Sequence, residues 1–193
     1  MSTRGVIARL VSPGKFKGRY HHWDSYIKGL GASLHELYHT HFNKDIDTML
    51  KTLIDDHPAG WSTICGRDWT QEPRGEQRDD LRKKQSELPP ECFCHGDRKE
   101  EGCVFTEENA SGSGCEYAYA FTKGKDGHNL MVVLSSYRKN GNKMIGMFGC
   151  GDENAAWREI GTVDLDSEIG PDWEAITEAV FSPISSLEYK GVV

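Results

Sequence analysis

The sequence predicts an α+β fold: an antiparallel sheet, built from an N-terminal hairpin and a C-terminal meander, packed with about three helices and interrupted by a Cys/His-rich insert. Three observations predict it. Apolar residues alternate with period two near both ends of the chain, which is the mark of half-buried strands. Between and after these runs the period becomes 3.6, as an amphipathic helix requires. A loop-like segment from Pro89 to Cys115 separates the halves and carries four of the six cysteines, with too little apolar content to hold a shape by packing.

The hairpin is read from Gly5 to Val11, a turn at Ser12-Pro13-Gly14, and a return strand over Phe16 to Trp23. A first helix is expected from Ala32 to Phe42 with Ser33 as cap. A second follows from Asp45 to Asp56, with Ile46, Met49, Leu50, Leu53 and Ile54 on one face; His57 closes it as a cation near its carbonyls and Pro58 stops it. Trp61 to Trp69 adds a short strand, and Gln71 to Glu87 is a charge run with Leu81 as its only interior apolar residue. Residues 71–115 thus form a charged linker and insert within a single domain of 193 residues, whose 37% hydrophobic content is enough for one sizeable core.

After Cys115 the meander comprises Tyr117, Tyr119 and Phe121 on one strand face, then Leu130 to Leu134, Met144 to Phe148 and Ile160 to Leu165. Turns are expected at Gly124 to Gly127 and at Asn140-Gly141-Asn142. Pro171 opens a last helix whose stripe is Trp173, Ile176, Val180 and Phe181.

The net charge of −7 argues against an extended duplex nucleic acid as partner, because such binding requires many cationic contacts. The charge is unevenly placed. Residues 1–28 hold Arg4, Arg9, Lys15, Lys17, Arg19 and Lys28 against Asp24 alone, leaving 17 bases and 29 acids elsewhere. A small anionic or nucleotide-like ligand would be drawn to this end, with Arg19 or Lys17 supplying charge, Tyr20, His22 and Trp23 supplying aromatic surface, and Asp24 orienting His21 or His22. The bland reading is a basic hairpin whose aromatics cover the sheet.

No run of about 20 apolar residues exists, and the first residues lack a signal-peptide pattern, so a cytoplasmic, membrane-free protein is expected. In a reducing compartment a tight cysteine and histidine cluster points to metal more than to disulfides. The best four-ligand choice is Cys92, His95, Cys103 and Cys115, in a C-x2-H-x7-C-x11-C arrangement, with Cys94 able to replace Cys92. Three thiolates and one imidazole describe structural zinc, a closed shell without room for substrate water.

His35-Glu36-Leu37-Tyr38-His39 spells a second metal motif, in which two histidines one helical turn apart share zinc while Glu36 polarises its water. Against it, the helix's apolar face is set by Leu30, Leu34, Leu37, Tyr38 and Phe42, which leaves His35 and His39 on the flank and Glu36 opposite. Asp55, Asp56 or His57 would have to supply the third ligand. Two readings follow from different classes: a noncatalytic binding protein with a structural zinc, and, as the alternative, a small zinc-dependent metallohydrolase.

Thr3-Arg4-Gly5, Tyr20-x-His22-Trp23-Asp24-Ser25-Tyr26 and Gly29-Leu30-Gly31 together resemble the start of a group of small, uncharacterised proteins from bacteriophages and bacteria. The resemblance covers about the first thirty residues and implies no activity.

Overall fold

The computed structural model describes residues 3–64, 90–95, 103–138 and 155–182. Its strands form one mixed sheet in the order β4-β3-β2-β1-β6-β7-β8, with β5 attached to β2. The strands are β1 (Arg4–Ser12), β2 (Lys15–His21), β3 (Trp61–Thr63), β4 (Glu91–Cys92), β5 (Phe105–Thr106), β6 (Cys115–Lys123), β7 (Asn129–Arg138) and β8 (Ala155–Asp164). Helices α1 (Ala32–Thr40), α2 (Ile46–Leu50) and α3 (Trp173–Ala179) complete the α+β architecture.

The hairpin forms as expected, with Val6 opposite Tyr20 and Gly14 at φ 72 in its turn. The sheet is not purely antiparallel, however. β1 lies parallel to β6, with Ile7 beside Tyr119, and β2 lies parallel to β3 at His21 and Trp61. Parallel pairing needs a long connection, and the helical stretch from Ile27 to Asp55, with the segments after it, provides the chain length. The periodicity of one strand is blind to its neighbour's direction, which is why the sequence did not show this.

Alternation on the central strands sends residues to two distinct cores. Ile7, Tyr117, Tyr119, Phe121, Met131 and Val133 face the helices, where they meet Leu30, Leu34, Tyr38, Met49 and Leu53. Val6, Ala8, Ala118, Ala120, Val132 and Leu134 face the other way and are covered by Phe16, Tyr20, Phe93, Phe105, Ala110 and Trp157. This second layer explains why Leu130 to Leu134 reads as an unbroken apolar run. The chain crosses one irregularity as it enters β6: the register slips between Arg4 and Gly5, so Cys115 falls on the second face although Tyr117 is on the first.

Asp45 caps α2 by accepting from the Thr48 backbone N–H at 3.0 Å and its hydroxyl at 2.6 Å. A wider turn, Lys51–Asp55, carries the same apolar face onward. The expected 11-residue first helix is shorter by two, ending at Thr40. In α3 the cap is Asp172, accepting from Ala175 N–H at 3.0 Å, and the stripe consists of Trp173, Ile176 and Val180. Phe181 does not belong to it: this residue follows the helix and is 80% exposed. The charge run Gln71 to Glu87, the expected strand Met144 to Phe148 and the turn at Asn140-Gly141-Asn142 lie outside the described residues.

Candidate metal centre and adjoining cavity

His57, Cys92 and His95 come together, with one ligand atom from each lying within 4.8 Å of the others. Trp61 organises the meeting. Its indole N–H donates to the Leu53 carbonyl at 2.8 Å, fixing the ring under the end of the α2 stretch, where His57 packs on it at a centroid distance of 4.1 Å. Cys92 is the cross-strand partner of Trp61, so β3–β4 pairing delivers the thiol to the same spot. The connecting turn needs Gly60, whose φ of 83 suits glycine and whose missing Cβ would sit 2.6 Å from the Tyr20 carbonyl.

His57 is oriented for ligation. Its Nδ1 lies 2.5 Å from the Thr52 carbonyl, which places the ring proton on Nδ1 and leaves Nε2 as a lone pair. Burial lowers its pKa, with the Thr52 carbonyl acting the other way, so the expected helix-closing cation is a neutral imidazole. Cys92 is buried, and burial pushes its thiol up to about 11, against the pull of the His95 and Cys94 backbone N–H groups that point at its sulfur. Without a cation it is a thiol, 2.7 Å from His95 Nδ1. Tetrahedral zinc would hold a sulfur and a nitrogen about 3.6 Å apart, by the usual bond lengths, so a shift of about 1 Å in exposed His95 would admit the ion. A soft thiolate with two imidazoles suits zinc.

This grouping differs from the expected one of Cys92, His95, Cys103 and Cys115. Cys103 is exposed and its carbonyl accepts from Arg19 Nη1 at 3.0 Å, while buried Cys115 opens β6 with its thiol 3.6 Å from the Gly5 carbonyl. Neither joins the three, and Cys94 stands beside them, its sulfur accepting from Ala59 N–H at 3.2 Å. The sequence offered His57 as the end of a helix and as a possible third ligand for His35 and His39; nothing in its spacing tied it to Cys92.

The pair in the helix behaves differently. His35 and His39 pack with ring centroids 4.6 Å apart and planes tilted by 52°, and His35 also meets Trp173 edge-on at 6.0 Å. Burial, then the neighbouring His39, lowers the His35 pKa. Glu36 is exposed, and among the described residues no third His, Cys, Asp or Glu joins the two histidines in a metal-sized group. Asp55 is taken by Arg9 at 2.8 and 2.9 Å, and Asp56 by Lys51 at 2.6 and 2.7 Å. His35 thus packs against Trp173 of α3, while His39 packs on His35 and Tyr38 with its Nε2 buried and without a hydrogen-bond partner.

Tyr20 and His22 line a cavity of about 240 Å3 together with Arg4, Ala59, Phe105 and Ser113, and Cys103 is also on its wall. Arg19, expected to supply charge there, instead ties Ile54 and Cys103 carbonyls together through Nε at 2.9 Å and Nη1 at 3.0 Å. Trp23 packs its ring edge on His22 at 4.5 Å, and Asp24 takes a left-handed φ of 52 with its carbonyl accepting from Leu30 N–H; neither lines the cavity. Burial raises the Asp24 carboxyl. Asp24 does not orient His21 either: fully buried His21 accepts from Ile64 N–H at 3.1 Å through Nε2 and therefore donates from Nδ1 to Ser25 Oγ at 2.7 Å. Arg4 comes from the first strand, and Phe105 and Ser113 from the insert, so no local pattern could have shown them as neighbours.

The chain matches no protein-family model, no curated protein and no solved structure. Function therefore rests on the geometry. Among the described residues no helix is long and apolar enough to cross a membrane.

Proposed function

We propose that this chain is a noncatalytic binding protein of the cytoplasm that holds one zinc ion through His57, Cys92 and His95, and that the cavity beside this centre takes a small anionic or nucleotide-like ligand. The observation that carries the reading is the convergence within 4.8 Å of ligand atoms from two segments far apart in sequence, His57 on one and Cys92 with His95 on the other. The metal's role is mechanical. β4 has only two residues, Glu91 and Cys92, and a bond from each of Cys92 and His95 to the ion would fasten this piece to the end of the α2 stretch through His57. No carboxylate among the described residues joins the group, and Asp56, next to His57, is held by Lys51, so the described residues place no carboxylate base at the metal. A reducing compartment would keep Cys92 available as a ligand. The chain's net charge of −7 disfavours extended duplex nucleic acid.

The test is metal analysis of the purified full chain with thermal unfolding beside it. About one zinc per chain is expected, and saturating zinc at about 100 times its dissociation constant should raise the melting temperature by roughly 5–10 °C over stripped protein. Cys92→Ser should lose both the metal and this shift. Protein that stays metal-free in zinc-supplemented growth and melts at the same temperature with and without zinc would sink the proposal.

A further inference from the structure

We infer that the cavity at Arg4 is a site for a small anion carrying a single planar ring, of the phosphate-monoester or carboxylate type, with Arg4 as its anchor. This deepens the ligand half of the reading above and is independent of whether zinc is bound.

Charge comes first. Of the six bases in residues 1–28, Arg9 is paired with Asp55, Lys28 with Glu174, and Arg19 is spent on two carbonyls. Arg4 lines the cavity with one guanidinium nitrogen, Nη1, donating to the Ser113 carbonyl at 3.2 Å. Its Nε is buried without a partner. A guanidinium carries five N–H donors in a planar fork, and one carbonyl leaves most of that capacity for an oxyanion. Half-buried Glu116 feels the Arg4 charge, which lowers its carboxyl against the larger upward push of burial.

The rest of the lining is largely aromatic. Tyr20 lies against Phe105 with centroids 5.4 Å apart and stacks on Phe93 at 6.2 Å, while its hydroxyl meets His22 Nδ1 at 2.7 Å. These contacts lock the Tyr20 and His22 rings, so a flat ligand meets a rigid surface at little cost in side-chain entropy. Size then narrows the class. About 240 Å3 falls below the roughly 300–1,000 Å3 of drug-sized sites, which favours one ring and one anionic group over a dinucleotide or a nucleoside triphosphate. Ala59 sets one boundary, and its backbone N–H is held by Cys94, so this wall is fixed as well.

The experiment titrates full-length protein with phenyl phosphate, using benzyl alcohol as the neutral ring and inorganic phosphate as the ringless anion, by calorimetry or saturation-transfer NMR. Phenyl phosphate should bind at least about tenfold tighter than either control, the ordinary weight of one charge-assisted hydrogen bond, and its affinity should fall with salt. Arg4→Gln should remove this advantage, and Ala59→Phe, which fills the cavity while leaving Arg4 in place, should abolish binding. Equal affinity for phenyl phosphate and benzyl alcohol overturns the anchor, equal affinity for phenyl phosphate and inorganic phosphate overturns the ring, and undiminished binding by Ala59→Phe overturns the location. Should Arg4→Gln fail to fold, the two control ligands and Ala59→Phe decide the matter without it. Zinc content read on the same samples separates the two halves: zinc-free protein that binds phenyl phosphate supports this site and overturns the metal.

Discussion

Mild acid should destabilise this protein through His21. The imidazole is fully buried, and burial, reinforced by the neighbouring His22, lowers its pKa from 6.5 to about 3. A base with a depressed folded-state pKa leaves stability intact above about pH 6.5, where both states are neutral. Below that the unfolded chain gains a proton that the folded chain refuses, and stability falls until the pH reaches the folded value near 3. Each pH unit in this window costs about 1.4 kcal/mol, so pH 5 should cost about 2 kcal/mol through this residue, a large share of the 5–15 kcal/mol typical of a domain. Half-buried His57 and His35 are lowered too and steepen the slope, whereas exposed His128, raised by Asp164, opposes it. The comparison that isolates His21 is His21→Gln, whose amide can still accept from Ile64 N–H and donate to Ser25 without titrating. Urea unfolding of both proteins in chelator at several values between pH 7.5 and 5 should show the variant less acid-sensitive by about 2 kcal/mol at pH 5. Parallel pH profiles for the two proteins would refute the reasoning, because they would mean that the His21 ring does not resist protonation in the fold.

Three further outcomes test the packing. Gly18→Ala should destabilise by about 1–3 kcal/mol or more, since its Cβ would lie 2.0 Å from the Ile7 carbonyl and 2.5 Å from Ala8 Cα, both backbone atoms of the adjacent strand; an unchanged urea midpoint would contradict that register. Tyr38→Phe should cost about 1–2 kcal/mol in equilibrium unfolding, because the hydroxyl donates to Asp166 at 2.5 Å and accepts from Asn129 at 2.9 Å; both would lose that bond while keeping the bonds they make to each other. Phe181→Ser should change stability by no more than about 0.5 kcal/mol, and a loss beyond about 2 kcal/mol would return this side chain to the apolar stripe.

The sequence by itself determined the elements whose signals are local. The Ile46, Met49, Leu50, Leu53, Ile54 spacing marked the second helical stretch, and Tyr117, Tyr119 and Phe121 marked one face of β6, because side-chain period is a property of a few neighbouring residues; the expected cap Ser33 makes no capping bond, and Asp45 caps instead at the second helix. It also flagged Cys92 with His95, three residues apart, and Tyr20 with His22 on one strand face. Tertiary structure alone decided that β1 runs parallel to β6, that Cys115 lies behind a register slip with its thiol on the second core, and that His57 and Trp61 complete what Cys92 begins. It likewise turned Arg19 to two carbonyls and brought Arg4, from the first strand, to Ser113 on the insert. The reason is physical: a ligand atom or a guanidinium is directed by whatever packs beneath it, and those supporting groups come from segments that no sequence period connects.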